Sequence, residues 1–556
     1  MIGLHYILIS WLTPFVEYSV LFGLVAGISG FFGLSMRQKE KKISEFIFFC
    51  IFGACLLSPL GFFLLRIYSP YNSNLEFILF LILSVVGLIV GFFLERKWMD
   101  RVNRVLAETT QNSELERDKK TDIRKINTNS QILSETYNPV EYMKKDAWFI
   151  GLDSEKKPIY FEEKNLPHVE VCGTTGSGKG VVLGVLASQC IAKKEAVFIL
   201  DPKNDEWLPH VAKAAADQAG EKYNFIDLTA DEFQFNLFED ATSSEVEELL
   251  IAGFELGDKG QASDFYKIAD RKMAKFISEQ VKCGETAQSL YVQHSAFLEK
   301  EAPGFAGKFR ELAEITAVNA KTGISLKEII KNGGVVYIVG SMRNTKITRI
   351  QKMLLVRLIQ IAEKRDRMTS EMRQVCVVLD ELKYHLSRTA LEALGASRDK
   401  GLHVVMAHQS VADLKDCPKD LEPDAVVGAI LENTRIKIVY RVEMPETAEI
   451  FAKKSGTILV DDEVRFIERS LSLADHIKPH RHVKQSERFL VDENMFLSLP
   501  HRCCVVFGIG LPKKIYTSPY IAEKTKDSIE VIKLETRDEE VEKKNDFLEV
   551  DFEKLG

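Results

Sequence analysis

Three long apolar runs dominate the first 95 residues. They cover residues 18–36, 46–65 and 77–94, and none of them contains a charged side chain. A helix needs about 20 apolar residues to cross the hydrocarbon core of a bilayer, so we predict that each run spans a membrane. The first 16 residues are also apolar but contain Pro14, which leaves the count at three or four spans. No basic segment precedes the first run, which disfavours a cleaved signal peptide.

Basic residues indicate the orientation of these spans. The segment 66–76 contains one arginine, whereas two flanking segments are rich in basic residues: Arg37, Lys39, Lys41 and Lys42 after the first run, and Arg96, Lys97, Arg101 and Arg104 after the third. Basic loops remain on the cytoplasmic side. We therefore predict a multi-pass protein whose residues from 95 onward lie in the cytoplasm.

The rest of the chain changes character several times. Residues 96–146 are polar and charged, which predicts a helix leaving the membrane followed by a linker. From residue 147, short apolar strands alternate with helices, a pattern typical of a mainly parallel sheet in an α/β domain that covers 147–242 and 332–519. Residues 243–331 show helical spacing and predict an all-α insertion. An acidic tail, 520–556, is predicted to be disordered.

Composition narrows the function classes. A net charge of −7 over 556 residues argues against a surface that coats nucleic acid, so any DNA contact must be local, for example a channel lined by a few basic residues. The nine cysteines are scattered without a CxxC pair, which argues against a disulfide framework. The histidines at 476, 480, 482 and 501 near Cys503 fit no standard zinc spacing, and solvated side chains are the favoured interpretation.

A glycine-rich loop carries the first chemical signal. It follows a short apolar strand, precedes a helix, and consists of Gly173, Thr174, Thr175, Gly176, Ser177, Gly178, Lys179 and Gly180. Glycines allow the backbone N–H groups to point inward at phosphate oxygens, at the positive end of the following helix. Lys179 is predicted to reach the β- and γ-phosphates, which makes this segment a nucleotide-binding loop.

Gly180 departs from the usual pattern, in which a Ser or Thr hydroxyl after the lysine binds Mg²⁺. One interpretation is a loop that binds nucleotide but holds the metal badly. The other, which we favour, is that a downstream aspartate, the phosphates and water hold the ion, because Mg²⁺ usually keeps several waters.

The partner motif is an acidic pair at the end of a buried strand. Residues 375–379 form the strand, and Asp380 and Glu381 follow it. We predict that Asp380 holds Mg²⁺ directly or through water and that Glu381 polarises the attacking water. A solvated acidic turn is the alternative.

Two further polar residues also follow predicted strands. Gln409 comes after the strand 402–407 and is predicted to hydrogen-bond the γ-phosphate or the water; a plain turn residue is the alternative. Lys203, after the strand 196–200, is placed near the nucleotide or the cargo, with a surface lysine as an equal alternative.

Two arginines are candidates for stabilising transition-state charge, often from a neighbouring subunit. Arg398 precedes the strand that ends at Gln409, and Arg435 lies just before or within a later strand. Sequence does not decide between them, and either can be structural.

These motifs together resemble the type IV coupling proteins of bacterial conjugation and type IV secretion, the TraD and TraG-like group within the FtsK and HerA ATPases. The motifs that carry the resemblance are GTTGSGKG at 173–180, DPKND at 201–205, SDFYKIADR at 263–271, VVLDEL at 377–382, MAHQS at 406–410 and ENTRIKIVYR at 432–441. A Gly after the P-loop lysine also occurs in the TraG-like branch.

The resemblance implies a RecA-like P-loop ATPase that uses ATP and Mg²⁺ and assembles as a homo-hexamer in the bacterial inner membrane. Its implied partners are single-stranded DNA with bound relaxase, secreted proteins, and the components of a type IV secretion channel. The helical insertion would face the cytoplasm and meet cargo, and the acidic tail would dock accessory proteins.

Two other functions remain open. An FtsK-like DNA translocase would normally carry a small C-terminal winged domain, and the sequence shows no sign of one. A receptor that binds nucleotide and gathers secreted proteins with little hydrolysis is kept open by Gly180.

Overall fold

The computed structural model describes residues 10–11, 13, 16–38, 42–68, 75–110, 134–260, 262–265, 267–365, 372–469, 475–523 and 529–531. The chain divides into two compact units, residues 1–122 with 459–486 and residues 123–458 with 487–556. Much of the predicted linker, most of the acidic tail and part of the loop 66–76 lie outside the described residues.

Four apolar helices make up the described N-terminal part: α1 (Ser19–Gln38), α2 (Lys42–Cys55), α3 (Leu57–Tyr68) and α4 (Leu75–Thr110). Two stretches are long and apolar enough to cross a membrane, Glu45–Leu64 with mean hydropathy 2.3 and Phe77–Leu94 with mean hydropathy 3.0. The apolar part of α1, Ser19–Ser35, is shorter. The structure therefore gives two candidate spans and one shorter apolar helix where the sequence predicts three or four spans.

Glycines allow α1 and α4 to pack closely. A Cβ placed on Gly27 would lie 2.1 Å from the Ser84 carbonyl oxygen, and one on Gly87 would lie 2.4 Å from the Leu24 carbonyl oxygen. Ser84 Oγ also donates a hydrogen bond of 3.1 Å to the Gly23 carbonyl. Small residues that bring helix backbones together are typical of apolar helices in lipid.

The second unit is built on one sheet of 11 strands. In chain order these are β1 (Trp148–Leu152), β2 (Pro158–Phe161), β3 (Val169–Cys172), β4 (Ala196–Asp201), β5 (Tyr223–Asp227), β6 (Gly334–Val339), β7 (Val375–Leu379), β8 (Leu402–His408), β9 (Ile436–Val439), β12 (Cys503–Phe507) and β13 (Lys513–Tyr516). Two further strands, β10 (Thr457–Arg469) and β11 (Asp475–Phe489), form a separate two-stranded sheet. The spatial order is β2-β1-β13-β12-β9-β3-β8-β7-β4-β6-β5.

The sheet has a parallel and an antiparallel part. From β9 to β5 every neighbouring pair is parallel, whereas the pairs from β9 through β12, β13 and β1 to β2 are antiparallel. The predicted α/β class with a mainly parallel sheet is confirmed. The strands β12 and β13 were not predicted, and they extend the sheet at the side of β9.

The described helices of the second unit are α5 (Lys179–Ala192), α6 (Leu208–Ala219), α7 (Ser243–Phe254), α8 (Lys267–Gln280), α9 (Ala287–Glu301), α10 (Pro303–Ala313), α11 (Leu326–Asn332), α12 (Thr345–Glu363), α13 (Arg388–Ser397), α14 (Val411–Lys415), α15 (Pro423–Asn433), α16 (Pro445–Lys454) and α17 (Glu493–Ser498), with short 3₁₀ turns at Pro139–Tyr142, Ala262–Phe265, Thr316–Val318, Leu382–Tyr384 and Arg398–Lys400.

The sheet buries both faces, because successive side chains of a strand point to opposite sides. Phe198, Val377 and Val404 pack in one cluster with helices α7 to α13. Ile199 and Val378 point the other way and pack against α5 and α6. The helices between residues 243 and 332 therefore share their apolar core with the sheet.

His168 lies buried just before β3, where it is fixed by two backbone groups. The Val404 N–H donates to Nδ1 at 2.9 Å, so the ring proton is on Nε2, which lies 2.9 Å from the Leu394 carbonyl oxygen. Burial, opposed by the Leu394 carbonyl and assisted by the charge of Arg398, lowers the pKa of His168 to about 4.

We predict that replacing His168 makes the protein less sensitive to acid. An unfolded histidine binds a proton below a pKa of about 6.5, whereas folded His168 does not until about pH 4, so protonation favours the unfolded chain in this window. When the pH falls from 7 to 5, protonation of this histidine in the unfolded chain should lower the unfolding free energy by about 2 kcal/mol. In urea denaturation, the unfolding free energy of His168→Gln should therefore fall by about 2 kcal/mol less than that of the wild type between pH 7 and pH 5. Equal losses in the two proteins would contradict the assignment.

Candidate nucleotide-binding site

The glycine-rich loop joins β3 to α5 and is anchored on both neighbouring strands. The Gly173 N–H donates to the His408 carbonyl at 3.2 Å, and the Thr174 N–H donates to the Arg441 carbonyl at 2.8 Å. Gly178 has a φ of 122°, and a Cβ at this position would lie 3.0 Å from the Tyr440 ring and 3.1 Å from the Arg502 Cα. Glycine adopts this positive φ without strain and has no Cβ to collide with these neighbours.

Lys179 is the first residue of α5 and is buried. Its ammonium group donates hydrogen bonds to the carbonyl oxygens of Gly173 and Thr174, at 2.5 and 3.2 Å. Burial lowers the pKa of Lys179, the nearby charges of Glu381 and Asp380 oppose this shift, and Lys203 adds to it. The loop lysine and the acidic pair therefore lie within electrostatic reach of each other.

The acidic pair, Asp380 and Glu381, follows β7 and meets side chains from both neighbouring strands. Lys203, after β4, forms ion pairs with Asp380 Oδ2 at 3.3 Å and with Glu381 Oε1. Gln409, after β8, donates from Nε2 to Glu381 Oε1 at 2.9 Å. The carboxyl ends of these parallel strands share one edge of the sheet, which brings these side chains together.

Glu381 is held in an unusual state. Its φ is 49°, in the left-handed region that non-glycine residues rarely adopt, and only 1% of the residue is exposed. Burial alone would raise the pKa of Glu381, but the hydrogen bonds from Lys203 and Gln409 lower it. Its Oε2 atom is buried and has no hydrogen-bond partner among the described residues. Strained backbone and an unpartnered buried oxygen are both typical of functional sites.

Asp201 explains how Lys203 reaches the acidic pair. Its carboxylate accepts hydrogen bonds from the backbone N–H groups of Lys203 and Asp205, at 2.8 and 2.6 Å, and from the Tyr337 hydroxyl at 2.6 Å. These bonds fold the turn after β4 toward β7. Lys203 therefore contacts the acidic pair, a different environment from that of a surface lysine.

The acidic pair fits a Mg²⁺ ion. Mg²⁺ prefers carboxylate oxygens and water, and both Asp380 and the unpartnered Glu381 Oε2 offer such oxygens. Burial raises the pKa of Asp380, Lys203 opposes this and the neighbouring Glu381 adds to it, so this carboxylate gains from an added cation. Gly180 is exposed and offers no hydroxyl ligand. Both interpretations of Gly180 remain predictions.

The two candidate arginines lie at the amino ends of the parallel strands, opposite the glycine-rich loop. Arg398 precedes the seven-residue strand β8, whose other end carries Gln409. At about 3.3 Å per residue, the strand separates the two residues by about 23 Å. Arg435 precedes β9, pairs with Glu163 at 2.5 Å and lies over the Phe161 ring. Neither arginine reaches the glycine-rich loop of its own chain, and action of the exposed Arg398 on a neighbouring subunit stays a prediction.

The structure adds residues that the sequence interpretation missed. The Arg502 N–H donates to the Ser177 carbonyl at 2.9 Å, and His501 Nδ1 lies 2.8 Å from the Gly176 carbonyl oxygen. The segment before β12 therefore packs directly on the glycine-rich loop. No local pattern signals this contact, because the paired residues are 325 positions apart in the sequence.

Together the fold and the site define an α/β protein of the P-loop class. Residues 374–501 match the family model described as the TraM recognition site of TraD and TraG. Mobilization protein A of Escherichia coli is 30% identical over 328 residues, which make up 57% of this chain and 60% of that protein. The chain thus spans less than two thirds of this relative. The resemblance to TraD and TraG-like conjugative coupling proteins is confirmed.

The chain is also similar to several solved structures at low sequence identity. The conjugative coupling protein TrwBdeltaN70 is 15% identical with a TM-score of 0.49, covering 70% of this chain and 92% of that one. The plasmid coupling protein TrwB in complex with ADP and Mg²⁺ is 16% identical with a TM-score of 0.47, covering 65% and 86%. VirB4 of Thermoanaerobacter pseudethanolicus is 12% identical with a TM-score of 0.45, covering 71% and 99%.

We predict that two glycines of the loop respond differently to an added methyl group. Gly178→Ala forces a strained backbone and a close contact, so it should lower the unfolding free energy by about 1–3 kcal/mol. Gly180→Ala is the matched control, because the residue is helical and, apart from its chain neighbours and its own helix, no atom of the described residues lies within 4 Å of a Cβ there. Alanine is the better helix former by up to about 1 kcal/mol, so Gly180→Ala should leave the unfolding free energy unchanged or raise it. Denaturant unfolding without nucleotide measures both, and equal effects would contradict the loop geometry.

Proposed function

We propose that this protein is a membrane-anchored ATPase that couples DNA with bound relaxase, secreted proteins or both to a type IV secretion channel and drives their transfer. One observation carries the proposal. The parallel strands β3, β8, β7 and β4 bring the phosphate-loop lysine, Gln409, the acidic pair and Lys203 to the same edge of the sheet. A loop that holds a triphosphate beside an acidic pair is an arrangement suited to hydrolysis.

The residues divide the work of hydrolysis among them. The N–H groups of the glycine-rich loop and the ammonium of Lys179 bind the phosphates of ATP. Asp380 would hold Mg²⁺ directly or through water, and the ion would supply positive charge at the phosphate oxygens. Glu381 orients the attacking water and accepts its proton, and Gln409 fixes the Glu381 carboxylate through Oε1.

Lys203 contributes positive charge at the same edge. It contacts both carboxylates and keeps Glu381 ionised by lowering its pKa. An ionised carboxylate is the form that a general base requires. The turn held by Asp201 thus maintains the reactive form of the site.

The apolar helices support a membrane anchor. The window Phe77–Leu94 has a mean hydropathy of 3.0, and 17% of it is buried within the protein. A core helix of a water-soluble domain would be mostly buried, whereas the exposed apolar side chains here suit lipid. We propose that these helices hold the protein in the bacterial inner membrane with the second unit in the cytoplasm.

The matches in sequence support the coupling role. The family that residues 374–501 match is described as a TraM recognition site, and the relative over 328 residues is a mobilization protein. We propose that this region binds an accessory protein of the DNA-processing complex. A homo-hexamer, with Arg398 of one subunit acting on the nucleotide of the next, completes the proposal, since Arg398 is exposed and distant from its own loop.

A nucleotide-binding receptor with little hydrolysis is the second candidate. Gly180 provides no hydroxyl for Mg²⁺, and Lys203 already balances charge at the acidic pair. The first feature removes a ligand for the metal ion, and the second supplies positive charge that the ion would otherwise provide. An FtsK-like translocase has no comparable support, because the sequence matches are to conjugative proteins.

We predict that the full-length protein in detergent hydrolyses ATP and that single-stranded DNA stimulates the rate. Lys179→Ala should abolish nucleotide binding and turnover. Glu381→Gln keeps the shape of the side chain but removes the base, so kcat should fall by about 10²- to 10⁴-fold while ATP still binds. A coupled phosphate-release assay and equilibrium binding of ATP measure the two effects separately.

Glu449→Gln is the matched control for this experiment. Glu449 is half-exposed and pairs with Lys453 within α16, away from the loop, so its replacement should leave kcat unchanged. Wild-type protein that binds ATP, assembles and shows no turnover would favour the receptor. Wild-type protein that fails to bind ATP would overturn the site itself.

A further inference from the structure

A second cluster of chemically active side chains lies away from the nucleotide site. Cys190, Glu195, Cys376 and His403 each point one ligand atom at the others, and all four atoms lie within 4.8 Å of one another. All four residues are buried, with exposed fractions of 0, 5, 0 and 2%. We call this group the thiol cluster.

Four different elements supply the thiol cluster. Cys190 is in the last turn of α5, and Glu195 lies between α5 and β4. Cys376 and His403 are the second residues of β7 and β8 and face each other in the register of the two strands. The cluster is therefore at the amino ends of these strands, whereas the nucleotide site is at their carboxyl ends.

Its distances match a tetrahedral metal site. His403 Nε2 lies 3.7 Å from Cys190 Sγ and 3.3 Å from Glu195 Oε2. Around a tetrahedral Zn²⁺ with ordinary bond lengths, sulfur and nitrogen ligands are about 3.6 Å apart, and nitrogen and oxygen ligands about 3.4 Å. The two distances from His403 are therefore close to those that such an ion requires, and all four ligand atoms lie within 4.8 Å of one another.

Burial adds an independent argument. Glu195 Oε2 is enclosed and has no hydrogen-bond partner among the residues that the structure describes. Isolated burial of a carboxylate is costly, and a cation is one of the few groups that offset this cost. Glu195 Oε2 points at His403 Nε2, and such a cation would sit between these ligand atoms.

The surrounding charge also suits a divalent ion. Two thiolates, one carboxylate and one neutral imidazole around Zn²⁺ leave a single negative charge. The charge of Lys193 interacts with both Cys190 and Glu195. Its ammonium is fixed by the Ala147 carbonyl at 3.1 Å and lies 3.7 Å from the centre of a Trp148 ring. The group as a whole is then neutral.

We propose that the thiol cluster binds one Zn²⁺ ion in a closed, structural site. Thiolate and imidazole ligands select Zn²⁺ over Mg²⁺ or Ca²⁺, and four protein ligands leave no open position for catalysis. On binding, both thiols release their protons to solvent and form bonds to the metal. The ion ties the end of α5 to β7 and β8, and so fixes the helix that begins at Lys179 relative to the strands that end at Glu381 and Gln409.

Metal analysis of the full-length protein tests this proposal without reference to ATP hydrolysis. Protein purified under reducing conditions, without a histidine tag or chelator, should contain about one Zn²⁺ per chain. Replacement by Co²⁺ should give an intense visible spectrum of tetrahedral type and a thiolate-to-metal charge-transfer band. Co²⁺ bound at the Asp380 and Glu381 oxygens would give no thiolate band, so the two sites are distinguishable.

Variants and a chelator complete the test. Cys376→Ser should reduce the Zn²⁺ content to background, and Cys504→Ser, which removes an equally buried cysteine from β12, should leave it unchanged. A strong chelator should lower the Tm of the wild-type protein and of Cys504→Ser, an effect that does not depend on the folding of the Cys376 variant. Metal-free reduced protein without a thiolate band on adding Co²⁺, or Cys190 and Cys376 recovered as a disulfide, would overturn the proposal.

Discussion

The site depends on the parallel pairing of four neighbouring strands. In the order β3, β8, β7 and β4, the backbone hydrogen bonds fix the register, so that Cys172 lies beside His408 and Leu379 beside both Met406 and Leu200. Because all four strands run in the same direction, the residues that follow their carboxyl ends lie together at one edge of the sheet. A strand that ran the opposite way would carry its polar residues to the other end of the sheet. The pairing itself therefore positions the chemistry.

Charge at this edge is balanced within the protein. Two buried or half-buried lysines, Lys179 and Lys203, face the two carboxylates of Asp380 and Glu381. Each charge lies in a place where water is scarce, so each alone would be costly. Together they reduce that cost, and they leave one oxygen of Glu381 without a partner. The balanced arrangement accounts for how an ionised carboxylate persists where burial alone would raise its pKa.

Helix α5 connects the two ends of the sheet. Its first residue is Lys179, at the phosphate loop, and its last turn carries Cys190, at the thiol cluster. Close packing against β4, β7 and β8 makes the helix a rigid element. The thiol cluster and the phosphate loop therefore lie at opposite ends of one rigid element. The same strands β7 and β8 carry residues of both sites, Cys376 and His403 at their amino ends and Glu381 and Gln409 after their carboxyl ends.

The sequence by itself determined the strands and the loop, because these depend on local pattern. Residues 375–379 were predicted as a strand with the bounds that the structure has, and the predicted strands 196–200 and 402–407 each lack only the last residue of the observed strand. Glycine spacing indicated the phosphate loop. Only the tertiary structure decided which strands are neighbours, and so it alone joined Lys203 and Gln409 to Glu381. It also showed that Arg435 lies at the amino end of β9, away from the glycine-rich loop, and that His501 and Cys190 contact residues distant in the sequence. Such contacts follow from strand order, and strand order is set by packing across the whole sheet, which no local segment encodes.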